Sequence, residues 1–385
     1  MRLTDALMRR AEEALTFDPR QQRRVLLDRT AVAAADVSTL RERIVQALGE
    51  GADAAQLAID RLVGTTDQLN VSYLERGMIA ADAVARIEVR DGDSAVVGSA
   101  TGFMISPRLM LTNHHVLPTA DDAAQSWLHF RHEFDALGRA LEPCVFALEP
   151  STFFWSSQHL DATVVAVAPE TPDRRQRVAR FGWLRLSASE TLVLPGEWLT
   201  TIHHPGGAPK QLALRENLLI KRGSCDLWYA TETASASSGA PLFNDSWQVV
   251  GMHRVGVPVR DANGGVLMLD GQRWTEDADE SRVVWRAGVG TCTSAIVRQL
   301  ASEARDHPVV VELLAESDAD AADAIVVPLG AGADRAGASG AANGETDRAA
   351  PTAAAVSMPL AAESNGGSGH DHSVLDGDAL TVTVP

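Results

Sequence analysis

Two hydrophobic periods divide the chain. Up to about residue 78 the apolar positions fall at helical spacing, with Leu3, Leu7, Ala11 and Leu15 on one face. Thr39-Leu40-Arg41-Glu42 has the form of a capping box, in which the Thr hydroxyl and Glu carboxylate satisfy open N–H groups at a helix start. Leu40, Ile44, Val45 and Leu48 then make one face, and Gly49 and Gly51 stop it. A further helix is expected from Asp53, bearing Leu57, Leu62 and Val63. Such a module is either a small adaptor or an extension packed on the next domain.

From Ala83 the period falls to two. Val84-Ala85-Arg86-Ile87-Glu88-Val89 alternates as a half-buried strand does. Gly98 to Ile105, Leu109 to Thr112, Ala162 to Val167, Trp198 to Ile202, Gln211 to Leu214, Leu218 to Lys221, Val249 to Met252 and Val283 to Trp285 read as further short strands. Turn signals such as Pro205-Gly206-Gly207 and Asn263-Gly264-Gly265 lie between them. Many short strands with few helices predict a mainly β domain, a barrel or sandwich. A helix from Thr293 to Arg305 closes it. Beyond about Glu316 the chain is rich in Ala, Gly, Asp and Ser, with apolar islands at 325–329, 358–360 and 380–385. That composition buries too little apolar surface to offset the entropy of ordering. The expected division is a helical module at 1–78, a strand-rich domain at 79–305, and a linker with a disordered acidic tail at 306–385.

Composition narrows the function classes. Apolar residues are 45% and charged residues 22%, as in a water-soluble globular chain. The net charge is −17, and residues 316–385 hold eleven acidic residues against two Arg. No basic run is present, so no nucleic-acid partner is expected. No apolar run is long enough to span a membrane, and residues 1–17 lack the apolar core of a signal peptide, so a cytoplasmic location without membrane contact is expected. Cys144, Cys225 and Cys292 have neither disulfide nor zinc spacing. His203-His204 does not suggest a shared ion, because adjacent strand residues point to opposite faces. No cofactor and no metal are implied. His370-Asp371-His372 is at most a weak, adventitious metal tract. The Trp residues read as barrel packing.

The stretch Thr233-Ala234-Ser235-Ala236-Ser237-Ser238-Gly239-Ala240-Pro241 combines what acyl transfer needs: a hydroxyl on a tight turn, and backbone N–H groups that can converge on an oxyanion. Two possible partners lie upstream. Thr112-Asn113-His114-His115-Val116 puts His at a strand end, and Leu160-Asp161 puts an acid at the head of an apolar strand. The order His, Asp, Ser is one in which this constellation recurs.

With Thr101-Gly102-Phe103-Met104-Ile105-Ser106 and His204-Pro205-Gly206-Gly207, these pieces make residues 80–300 resemble the trypsin-like serine peptidases of the bacterial glutamyl-endopeptidase and HtrA-like type. The resemblance implies a chymotrypsin-like double antiparallel β-barrel with the active site between the barrels. His115 and Asp161 would come from the first barrel and Ser238 from the second. His115 is preferred to His114 because it precedes Val116. Ser238 is preferred to Ser237 because it precedes Gly239. Asp121 and Asp122 fall in a loop and are set behind Asp161. The oxyanion would be bound by the N–H groups of Ala236 and Ser238. The chain departs from the family at Ala236, where Gly is usual and allows conformations that Ala resists. Thr233 and His253 match the positions that line the primary pocket of glutamyl-endopeptidases, which implies a Glu or Asp preference before the scissile bond. Packing of His253 under the second barrel is the competing reading. Arg254 and Gly256, with Val255 between them, would pair with substrate backbone. The expected partner is a protein or peptide substrate, with a further protein partner for the helical module. A protease-like binding module and an esterase using the same triad are the alternatives.

Overall fold

The computed structural model describes residues 5–27, 69–93, 95–190, 192–231, 238–275, 278, 282–317 and 325–326. The expected helices over 39–63, Thr233, Ala236, the islands at 358–360 and 380–385, and His370-Asp371-His372 lie outside these residues.

Two antiparallel β units carry the fold. The first has seven strands: β1 (Val84–Arg90), β2 (Val96–Met104), β3 (Leu109–Thr112), β4 (Trp127–Phe130), β5 (Cys144–Ala147), β6 (Phe154–Ser157) and β7 (Ala162–Ala166), in the order β5-β4-β1-β2-β3-β7-β6. The alternation read in β1 faces Ala85, Ile87 and Val89 into the core, with Val84 buried as well, whereas β3 and β7 are buried along their whole length. The sheet curls back on itself. Leu148, just past β5, bridges to Val167, just past β7, and Ala168 N donates to Ala147 O at 2.9 Å.

A two-residue strand, β8 (Trp183–Leu184), leads to the second unit. That unit is a closed barrel of β9 (Trp198–His203), β10 (Gln211–Arg222), β11 (Asp226–Thr231), β12 (Pro241–Phe243), β13 (Val249–Pro258) and β14 (Trp285–Cys292), in the order β10-β11-β14-β13-β12-β9. Closure pairs most of the strand edges that an open sheet would present. The chain is thus mainly β, with a chymotrypsin-like arrangement.

Several elements differ from the expectation. β4, β5 and β6 are strands of four residues each, too short for a period of two to separate them from loops. The two strands expected over 211–221 are one strand, β10, whose register shifts between Ala213 and Asn217 where it leaves β9. β13 runs six residues past Met252, to Pro258, because β14 pairs with it along that length.

The helices are clips on this frame. α1 (Asp5–Ala14) and α2 (Pro19–Leu27) lie against the second barrel. Met8 and Ala11 are buried in one cluster with Val255, Val257 and Trp285. Arg260 holds α1 from below, with Nη2 2.8 Å from Asp5 and Nε 2.7 Å from Glu12. Of the two readings of the N-terminal segment, residues 5–27 follow the packed extension. α3 (Ser72–Asp82) bridges to the second barrel: the Trp247 indole donates to Tyr73 O at 2.9 Å, and the Tyr73 hydroxyl bonds that of Thr200. α4 (Ala120–Gln125) follows the His114-His115 segment. Its cap is a box in which Thr119 and Asp122 satisfy each other's N–H groups, so Asp122 has a structural role. α5 (Thr293–Ala304) closes the barrel domain as expected. The expected linker from residue 306 instead begins with helix α6 (Pro308–Ser317), because Val310 and Leu313 bury themselves in the main core. The island at 325 supplies β15 (Ile325–Val326), which pairs with β8.

Candidate active site

The two β units meet where β3 and β7 end and β12 begins. Three residues after β3, His115 turns its ring toward Asp161. Its Nδ1 lies 2.8 Å from Asp161 Oδ2 and 3.0 Å from Oδ1, and its backbone N–H donates to Oδ1 at 3.0 Å. Both side chains are about nine-tenths buried. Asp161 has φ +49°, a left-handed conformation that Asp tolerates better than most residues. It ends a turn in which Asp161 N donates to Gln158 O. Asn113 Nδ2 holds the Asp161 carbonyl at 3.0 Å, and Thr291, from the second barrel, donates to Leu160 O at 2.7 Å. The carboxylate is therefore fixed from both β units. His114 points elsewhere and bonds Ser156 on β6 at 2.8 Å.

Ser238 sits on the turn before β12. Its carbonyl accepts from Thr101 N at 2.9 Å, and Thr112 Oγ1 donates to Thr101 O at 2.8 Å. Gly239 N donates to His253 O, and His253 N donates to Ala240 O. The turn is thus pinned between β2 and β13. Gly239 has φ +83°, and a Cβ built there would stand 2.0 Å from the Thr101 carbonyl oxygen. Among the described residues the Ser238 hydroxyl reaches the Arg254 carbonyl, at 3.5 Å.

Beyond Met252, β13 leaves β12 and, among the described residues, pairs on one side only, with β14. The segment Arg254-Val255-Gly256 therefore presents a strand edge beside Ser238. His253 lies under that edge, 2% exposed, with its ring bonded to the Tyr229 hydroxyl. Burial pushes its pKa down to about 3, so the ring is neutral. Burial likewise pushes His203 down to about 4 and His204 to about 2. His204 Nδ1 contacts Ala208 O at 3.1 Å. Among the described residues no group of three His, Cys, Asp or Glu could hold a metal ion, and no helix is long and apolar enough to cross a membrane.

A cleft of about 730 Å³ opens over His115 and Asp161 and runs along Arg254 and Val255. Sequence reading missed two of its features. The Arg254 guanidinium is held by Asp226 at 2.8 Å and brings Nε within 3.8 Å of Asp161 Oδ2. The alternation of β13 could have signalled this, since it sends Arg254 to the face opposite His253. The second feature, the presence of α1 in the cleft wall, has no local signal.

Residues 100–252 match the profile of the trypsin-like peptidase domain. The uncharacterized protein y4fB of Sinorhizobium fredii is 40% identical over 255 residues, which cover 63% of this chain and 37% of that protein. This chain thus spans little more than a third of that relative's length. Among solved structures, the active form of the Rv3671c protease from M. tuberculosis is 17% identical, with 60% of this chain and 86% of that chain covered and a TM-score of 0.36. An inactive mutant form of the same protein is also 17% identical, covering 63% of this chain and 98% of that one, with a TM-score of 0.35. His115, Asp161 and Ser238 all fall inside the segment that resembles the trypsin-like peptidase domain, and that segment lies on a mainly β, chymotrypsin-like fold.

Proposed function

We propose that the chain is a serine endopeptidase working through His115, Asp161 and Ser238. The observation that carries this reading is the His115–Asp161 pair, buried and doubly bonded, in a cleft that Arg254 also lines, with the Ser238 hydroxyl at the Arg254 carbonyl. An Asp161 carboxylate that accepts from Nδ1–H leaves Nε2 as the ring's proton acceptor. As Ser238 Oγ bonds to the carbonyl carbon of the substrate, its proton passes to Nε2. The tetrahedral adduct then expels the amine, which takes that proton, and an acyl-enzyme remains. Water repeats the sequence and frees Ser238. Ser238 N–H and Ala236 N–H are the proposed oxyanion donors, each worth ~3 kcal/mol of barrier in comparable sites. The free edge at Arg254-Val255-Gly256 is suited to hold a peptide extended beside the nucleophile.

The proposed subtype is that of the glutamyl-endopeptidase and HtrA-like enzymes, with Glu or Asp before the scissile bond. Thr233 and His253 are the proposed pocket residues. A neutral His253 would hold an acidic side chain by hydrogen bonds rather than as an ion pair.

One observation favours a second reading, a protease-like binding module: the Ser238 hydroxyl faces the Arg254 carbonyl, among the described residues, and not His115. Fluorophosphonate labelling separates the two. The enzyme predicts labelling of the intact chain that disappears in Ser238→Ala and falls at least ~10³-fold in His115→Ala. An unlabelled wild type refutes it. Turnover of a peptide against the matching ester separates endopeptidase from esterase, and a cleavage profile without acidic enrichment removes the proposed pocket preference.

A further inference from the structure

The N-terminal helix does more than pack on the barrel. Its buried residues, Met8 and Ala11, join Val255 and Val257 of β13. Its next face, with the apolar Leu7, Ala11 and Ala14 beside Arg10, lines the cleft that also contains His115 and Asp161. On the opposite side, Trp228, Val255 and Val289 complete an apolar bay beside the free strand edge. The helix is anchored, since Arg260 clamps both Asp5 and Glu12. It leaves the cleft open: the space of about 730 Å³ is shared by the helix, the strand and residues of the first β unit such as Val89, Val97 and His115, and falls in the range of preformed ligand sites.

We infer that α1 is a wall of the substrate groove and forms, with Val255 and Trp228, an apolar subsite for a side chain of the peptide segment that pairs with β13. The inference deepens the endopeptidase reading and rests on it for the identity of the ligand. The physical argument is short. A peptide laid along Arg254-Val255-Gly256 sends alternate side chains to opposite faces of the new strand. One set points toward the face that Val255 occupies, and that face is roofed by Leu7, Ala11 and Ala14. A side chain entering between Leu7, Ala11 and Ala14 and the Trp228, Val255 and Val289 side chains leaves water for mostly apolar surroundings, which favours Leu, Val or Phe over Ser or Asn. A charge replacing Leu7, in addition to the Arg10 already on the helix, works against that preference.

The test uses the full chain and two peptides that share one cleavage site and differ only in Leu or Ser at the position facing α1, found by scanning the four residues on the β13 side. The wild type is expected to prefer the Leu peptide by roughly tenfold or more in kcat/KM, the scale of a few methylenes in an apolar pocket. Leu7→Glu is expected to remove most of that ratio, and Leu7→Met to keep it. Because the readout is a ratio within one protein, partial loss of folded material leaves it unmoved. A wild type with no Leu preference at any of the four positions, or a ratio unchanged in Leu7→Glu, overturns the inference. Fluorophosphonate labelling of the wild type reports the enzyme reading separately. If labelling fails, binding of the same two peptides by fluorescence anisotropy is the readout, and equal affinities, or a Leu preference untouched by Leu7→Glu, overturn the subsite.

Discussion

Replacing Gly239 by Ala places one methyl group at the seam between the two β units. The new Cβ would stand 2.0 Å from Thr101 O and 2.5 Å from Thr112 Oγ1, and the first of these is backbone, which cannot rotate away. Three costs combine. The left-handed conformation at φ +83° costs a non-glycine residue about 1–2 kcal/mol. Relief of the clash by backbone movement costs about 1–3 kcal/mol. That movement stretches the Thr112–Thr101 and Thr101–Ser238 hydrogen bonds, each worth about 1 kcal/mol. The expected destabilisation is therefore about 4–7 kcal/mol if both bonds are lost, a large part of the stability of an ordinary domain. Urea denaturation followed by Trp fluorescence measures it, with fluorophosphonate labelling of the folded fraction as the second readout. Labelling should fall further than the folded fraction does, because the displaced residue adjoins Ser238. An unchanged urea midpoint, or full labelling per folded molecule, would refute the account of the turn as a clamp pinned on Thr101.

Acid stability follows from the three buried imidazoles. His203, His204 and His253 hold their pKa values at about 4, 2 and 3, against 6.5 for an exposed ring, so between those limits the unfolded chain binds more protons than the folded one. The stability they supply is present above pH 6.5 and is lost as pH falls from there through about 4 for His203, 3 for His253 and 2 for His204, at a slope of up to about 1.4 kcal/mol per pH unit for each ring; urea midpoints that stay flat from pH 7 to 4.5 would contradict this. Arg260→Ala removes the clamp on Asp5 and Glu12, which are partly exposed. About 1–2 kcal/mol of α1 docking should go with it after allowance for solvent screening. Hydrogen exchange should accelerate in residues 5–14 and stay unchanged in β3 and β7, and equal protection of α1 in both proteins would show that burial of Met8 alone holds the helix.

The order of residues alone dictated the β character of the middle of the chain, the helical start, and three chemically suited residues in a recognisable order. Those signals are local: a period of two, a small-residue turn before an apolar strand, and an Asp at the head of another. Packing in three dimensions settled the rest. That His115 faces Asp161, and His114 does not, depends on the left-handed turn at Asp161 and on Asn113 reaching across to its carbonyl. The pinning of Ser238 depends on Thr101, 137 positions earlier in the chain. The Arg254 guanidinium beside Asp161, and α1 in the wall of the cleft, join residues that no window of the sequence contains together. Hydrophobic period reports which face of an element is buried. It carries no information on which distant element covers that face, because that is set by how the curled sheet and the closed barrel pack and where their loops meet.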